Sequence, residues 1–239
     1  MIDREIDIST DDGAMNTFIT HPEEGDAHPL VLFLMDAPGK REELHDMARR
    51  LGTAGYYVML PNLYYRRVRE YRIEESTREE MFSHMDSLSN QMVIADIKKL
   101  IDYAVRDGAA RTDKIGCMGY CMSGPFAFAA AAAFPEQIAA SASLHGVRLY
   151  INSPDSPHLD AAKITGEMYF ACAETDEYAP PEMVEKLEQH LATTGIDYRI
   201  EWYPGTEHGF VFPLRAGKYH KASAERHWER LLALFGRCL

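Results

Sequence analysis

The sequence predicts an α/β fold: a mostly parallel central sheet with helices on both faces and an N-terminal antiparallel hairpin. Three observations carry that prediction. Apolar runs of strand length alternate with longer segments of helical periodicity almost from end to end, the pattern of repeated βα units. Many of the runs are continuous, as strands buried on both faces require. Small, polar or titratable residues follow them directly, where open sheets of this kind place their ligands.

Each element follows in turn. "REIDISTDDGAMNTFIT" alternates polar and apolar residues around an Asp-Asp-Gly turn, which makes a hairpin. "PLVLFLM", Pro29 to Met35, is a strand, and Glu43 to Gly55 a helix whose apolar stripe runs through Leu44, Met47, Ala48 and Leu51 before a closing glycine. Tyr56 to Pro61 is the next strand. It leads into "NLYYRRVREYRIEES", a connection long enough to suggest function. Helical patterns cover Thr77 to Ser87 and Gln91 to Asp107. "KIGCMG", "AASASLHG", "EMYFACAETD" and "YRIEWYPGTEHGF" supply further strands, and Lys218 to Phe235 a last amphipathic helix. With no repeat, low-complexity segment or linker, one domain over residues 1–239 is expected.

The formal net charge is −12, without a basic face, so neither nucleic acid nor an anionic membrane is expected as a partner. No signal-peptide pattern or span of about eighteen apolar residues occurs, and a cytoplasmic protein is the expectation. The four cysteines, at 117, 121, 172 and 238, lack paired Cys-x-x-Cys spacing, which argues against zinc and against a disulfide framework. No metal or cofactor is expected. Cys117, Cys172 and Cys238 read as small apolar core residues.

Cys121 stands apart. In "GYCMSG" it occupies the nucleophile slot of a G-x-S-x-G elbow, a strained strand-to-helix turn with small neighbours. A helix N-terminus there favours a thiolate and any anion forming on a substrate. Pro125 suits the first helical turn. Ser123, on the helix side of the turn, is the competing nucleophile. An elbow nucleophile needs an acid and a histidine downstream in that order. Asp176 falls just after one strand, and His208, between Gly205 and Gly209, in the loop after the next. Glu174 and Glu177 are rivals for the acid. His190, His220 and His227 fall on polar helix faces and read as solvated.

Asp36, Cys121, His145, Asp176 and His208 thus gather at strand ends. From "PLVLFLMDAPG" through "LPNLYYR", "GYCMSG" and "AETDEYAPPE" to "GTEHGFVF", the chain resembles the dienelactone hydrolase family of carboxymethylenebutenolidase-like α/β-hydrolases. The resemblance implies the α/β-hydrolase fold, with Cys121 as nucleophile, His208 as general base and later acid, and Asp176 orienting it. Asp36 falls where that family carries an acidic residue, usually glutamate, that contacts and helps activate the thiol. The backbone amides of Ala37 and Met122 would form the oxyanion hole.

Of the two arginines that hold a substrate carboxylate in dienelactone hydrolases, Arg78 matches the first, and Phe212 stands at the second. Phe82, Tyr120, Tyr64, Tyr65 and Phe212 would suit a less charged, aromatic or larger ester, although packing accounts for these rings equally well. His145 either faces the site or is satisfied by local backbone. The expected activity is metal-free hydrolysis of a small carboxylic ester or lactone through an acyl-thioester, by a monomer or small homo-oligomer. A non-catalytic scaffold binding a small molecule and a redox-sensing thiol are the alternatives.

Overall fold

The computed structural model describes residues 1–239. Strands β1 (Ile2–Thr10) and β2 (Gly13–His21) form the expected hairpin, closing on a Thr10–Gly13 pair. The remaining strands are β3 (His28–Leu34), β4 (Tyr57–Pro61), β5 (Ala110–Tyr120), β6 (Ile138–Leu144), β7 (Glu167–Thr175) and β8 (Tyr198–Glu207). They build one sheet in the order β1-β2-β4-β3-β5-β6-β7-β8. β2 meets β4 antiparallel, and every pairing from β4 to β8 is parallel. From β3 the chain crosses to β4 on one side and then returns to β5 on the other. The crevice for a ligand therefore opens between the ends of β3 and β5.

Helix α1 (Glu42–Thr53) buries Leu44, Met47, Ala48 and Leu51, the stripe its spacing predicts. Helix α2 (Arg78–Met85) starts on a capping box between Thr77 and Glu80 and has no buried residue, so it lies over the surface instead of entering the core. Helix α3 (Asn90–Ala104) is capped by Ser89. In α4 (Gly124–Ala133) nearly every residue is buried, and its alanines let it lie close to the sheet: Ser141 of β6 donates to the Ala127 carbonyl at 2.8 Å. Helices α5 (Pro181–Leu191) and α6 (Lys221–Cys238) complete the layers.

Among the boundaries that differ from expectation, two have a local cause. β5 begins at Ala110 because its first residues pair with His28 and Pro29 of β3 before a register shift. α6 begins at Lys221, where the His220 ring accepts from the Ser223 amide as an N-cap. The long connection after β4 is tied down by Asn62, whose Nδ2 reaches the carbonyls of Val68 and Arg69 at 2.9 and 3.0 Å. No helix is long and apolar enough to cross a membrane.

Candidate active site

Cys121 leaves β5 directly and adopts φ 53°, a left-handed conformation that costs a non-glycine residue about 1–3 kcal/mol. The chain can turn so sharply because Gly119 and Gly124, which flank the turn, have no side chains. A Cβ at Gly119 would stand 2.0 Å from the Ser123 carbonyl oxygen, and one at Gly124 would stand 2.4 Å from the Gly146 Cα. Cys121 remains half-buried and lines a cavity. Ser123 is fully buried, and its hydroxyl donates to the Met35 carbonyl at 2.5 Å. That hydroxyl ties the turn to the end of β3 and is withdrawn from the cavity.

Asp176 and His208 follow β7 and β8 by one residue each. Nδ1 of His208 donates to Asp176 Oδ2 at 2.7 Å, and since a carboxylate only accepts, this bond sets the ring's orientation. The other Asp176 oxygen accepts from the amides of Tyr178 (2.9 Å) and Ala179 (3.0 Å). Its rivals are engaged elsewhere: Glu174 accepts from the Gly205 amide, and Glu177 is exposed. Nε2 of His208 is buried without a hydrogen bond. Burial opposes a charge on the ring, but Asp176 and the neighbouring Cys121 thiol outweigh it, and the pKa is pushed up to about 9.

Asp36 departs from what the resemblance implied. It is fully buried, and both carboxylate oxygens are held by guanidinium groups: Arg41 reaches them at 2.5 and 3.3 Å, and Arg215 reaches Oδ2 at 3.1 Å. Two cations claim the short side chain, so it is tied to them and makes no hydrogen bond to the thiol. Phe212 is also fully buried, with Arg41 and Arg215 over its ring at 5.3 and 4.8 Å. It therefore packs behind the site and does not line it. Arg215, three residues further on, reaches the cavity instead. A guanidinium stacking geometry of this kind leaves no trace in a single sequence.

Four aromatic or imidazole residues also end up in unexpected places. Tyr120 is buried beneath the elbow, its hydroxyl 2.9 Å from His227 Nε2. His227, expected in solvent, is fully buried on the inner face of α6; burial pushes its pKa down to about 4, and Nδ1 donates to the Ala224 carbonyl at 2.5 Å. The Tyr65 hydroxyl donates to Asp96 at 2.8 Å, away from the cavity. Tyr64 donates to the Ala37 carbonyl at 2.9 Å and lies 3.1 Å from the Met122 sulfur. It thereby bridges the two segments whose amides were expected to face an oxyanion.

His145, at the end of β6, has φ 39°. Its amide donates to the Ala171 carbonyl at 2.7 Å, yet both ring nitrogens are buried without partners. The ring packs edge to face on His208 with centroids 4.7 Å apart. Of the remaining expected histidines, His190 reaches the His158 carbonyl at 2.9 Å, and His220 caps α6.

The cavity at Cys121 has a volume of about 270 Å³ and is largely apolar, with Met81 and Phe82 from α2, Tyr178, His208 and Arg215 in its walls. Arg78 stands at its rim, donating to the Tyr178 hydroxyl at 2.7 Å. A larger polar cleft of about 450 Å³, between the hairpin and the connection after β4, contains neither Cys121 nor His208. No group of three or more His, Cys, Asp or Glu side chains is arranged to hold a metal ion.

A sheet of this order, with a left-handed residue at the β5 turn and the histidine after the last strand, defines an α/β-hydrolase. The model of the dienelactone hydrolase family matches residues 15–239, and the chain belongs to that family. It is 27% identical to a Salmonella typhi protein named "Putative carboxymethylenebutenolidase", over 96% of this chain and 90% of that one. It is 26% identical to a carboxymethylenebutenolidase of Rhodococcus opacus, over 87% and 81% of the two chains. The crystal structure titled "Putative Dienelactone Hydrolase" from Klebsiella pneumoniae superposes with a TM-score of 0.90 at 26% identity, covering 98% of both chains. The protein is thus a dienelactone hydrolase-like hydrolase.

Proposed function

We propose that the protein hydrolyses a carboxylic ester or lactone through an acyl-thioester on Cys121. The observation that supports this most is the alignment of Cys121, Asp176 and His208 at the ends of β5, β7 and β8, with Ser123 already committed to Met35. The Cys121 thiol passes its proton to His208 Nε2, and the sulfur attacks the carbonyl carbon and forms a C–S bond. The displaced electron pair collects on the carbonyl oxygen, held by the amides of Ala37 and Met122. Collapse breaks the C–O bond to the leaving group, which takes a proton from His208.

Acylation then changes the histidine. The Cys121 thiol is one of the groups that raise the His208 pKa, and a thioester no longer favours the imidazolium. With that support gone His208 gives up its proton more readily and stands neutral, free to accept one from water at the step that needs it. Water adds to the thioester, the C–S bond breaks, and the acid and the thiol are regenerated. Asp36 serves here as an anchor: it holds Arg41 and Arg215, so much of the Arg215 charge is already answered. An uncharged ester suits this cavity better than a carboxylate-bearing lactone.

A thiolate leaves as readily as it attacks, so esters with good leaving groups, enol lactones and thioesters are preferred over alkyl esters. The test follows release of an activated aryl alcohol. Cys121→Ala loses at least roughly a thousandfold in kcat/KM, Ser123→Ala keeps most of its turnover, and mass spectrometry traps an acyl group on residue 121. Unchanged turnover in Cys121→Ala defeats the proposal.

A further inference from the structure

Behind the cavity at Cys121 lies a second recess of about 180 Å³. The two share Met85, Val147 and Arg148 as walls, so the recess adjoins the cavity at Cys121 across these side chains. Its other walls include Met122, Pro125 and Phe126 from the turn after Cys121 and the start of α4. None comes from the segments carrying Asp176 and His208. The leaving oxygen must lie beside His208 to take its proton. An arm of the substrate entering the recess therefore belongs to the acyl side.

The recess is apolar in part, with one polar feature that points to a ligand. Asn90 lines it and is only 7% exposed. The Asn90 amide nitrogen donates to the Asp155 carbonyl, and its backbone N–H donates to Asp155 Oδ2 at 3.0 Å. A carbonyl accepts only, so the side-chain NH₂ must face Asp155, and Oδ1 is the end left over. That oxygen is buried and accepts no hydrogen bond, an arrangement that burial disfavours unless a donor arrives. Between cavity and recess stands Arg148, paired with Asp86 at 2.8 Å; both side chains are half exposed. Exposed pairs of this kind contribute little, so the guanidinium is free to swing aside.

We infer that the recess is the acyl subsite, and that the substrate's acyl arm is an apolar chain of several carbons ending in a hydroxyl or amide N–H that donates to Asn90. Its volume suits on the order of half a dozen carbon-sized groups. This inference rests on the hydrolase reading above. The test compares p-nitrophenyl acetate, hexanoate and 6-hydroxyhexanoate on the intact protein and on Ile151→Trp and Asn90→Leu. Ile151 lines only the recess, so tryptophan there fills it and leaves the cavity at Cys121 open.

Each buried methylene favours binding by roughly threefold to fourfold, so hexanoate exceeds acetate by at least tenfold in kcat/KM, with 6-hydroxyhexanoate higher still. Ile151→Trp removes the chain-length preference and leaves acetate within twofold. Asn90→Leu removes only the advantage of the terminal hydroxyl. Retained acetate turnover reports that each variant is folded, and Ile151→Trp carries the test alone if Asn90→Leu is not. A flat chain-length profile with normal acetate turnover overturns the subsite and spares the hydrolase reading. Failure of the unmodified protein to turn over any of the three overturns both.

Discussion

His208 and His145 stand edge to face, 4.7 Å apart at their centroids, and burial works against a charge on both. They nevertheless titrate in opposite directions. The pKa of His208 rises to about 9 because Asp176 accepts from Nδ1 and the Cys121 thiol adjoins the ring. That of His145 is driven well below its ordinary value by its burial and then by His208 itself. The contrast shows that a carboxylate from the neighbouring strand end and the adjoining thiol together decide which of two adjacent imidazoles carries the proton. It fits the tasks proposed for them, with His208 exchanging protons and His145 a neutral wall behind it.

Removing the carboxylate breaks the contrast most severely. Asp176→Asn takes away the acceptor for Nδ1 and permits the wrong tautomer. It lowers kcat/KM by roughly a thousandfold to ten-thousandfold and brings the His208 titration, followed by NMR, down toward that of His145. A wild-type His208 titration that survives the substitution would overturn the assignment of Asp176.

Stability against pH separates the two rings more gently. The raised pKa of His208 contributes stability that is full below pH 6.5 and lost as pH rises through about 9. The lowered pKa of His145 has the opposite sense: its contribution is present above the ordinary value of 6.5 and fades as pH falls below it. Melting temperatures from pH 5 to 10 therefore show a shallower alkaline decline for His208→Gln and a shallower acid decline for His145→Phe. Parallel curves for both variants and wild type would remove the basis of the comparison.

His227, another buried histidine, gives the smallest effect. Tyr120→Phe leaves His227 Nε2 without its partner at 2.9 Å and costs about 1–3 kcal/mol by denaturant titration. Because Tyr120 lies beneath the cavity, the activity of the folded variant stays near wild type.

Much of the fold is legible in the sequence because strand burial, helix periodicity and the glycine turns are local properties. The order of Cys121, Asp176 and His208 is legible for the same reason, since each follows a readable strand. What the sequence conceals is depth. Tyr120 follows the β5 apolar run just as an exposed rim residue would, and only the packing of α6 over it reveals a buried contact with His227. Arg215 reaches the cavity where Phe212 was expected because the chain after β8 makes turns before α6, and these bring Arg215 to Asp36. Asp36 itself is readable as an acid at a strand end. Of its two guanidinium partners, Arg41 is only 5 residues away, whereas Arg215 is 179 residues away and beyond any local pattern.

The turn at residue 121 has a wider consequence. Nothing that shapes it depends on sulfur: the left-handed backbone, the Ser123 tether and the absence of room for a Cβ at Gly119 and Gly124 belong to the neighbours. The scaffold specifies an address and leaves the reagent open. On the proposed mechanism, an exchange of sulfur for oxygen at this position would change the chemistry delivered beside His208 while the architecture stays as it is, which would make nucleophile identity one of the cheapest traits for such a protein to alter.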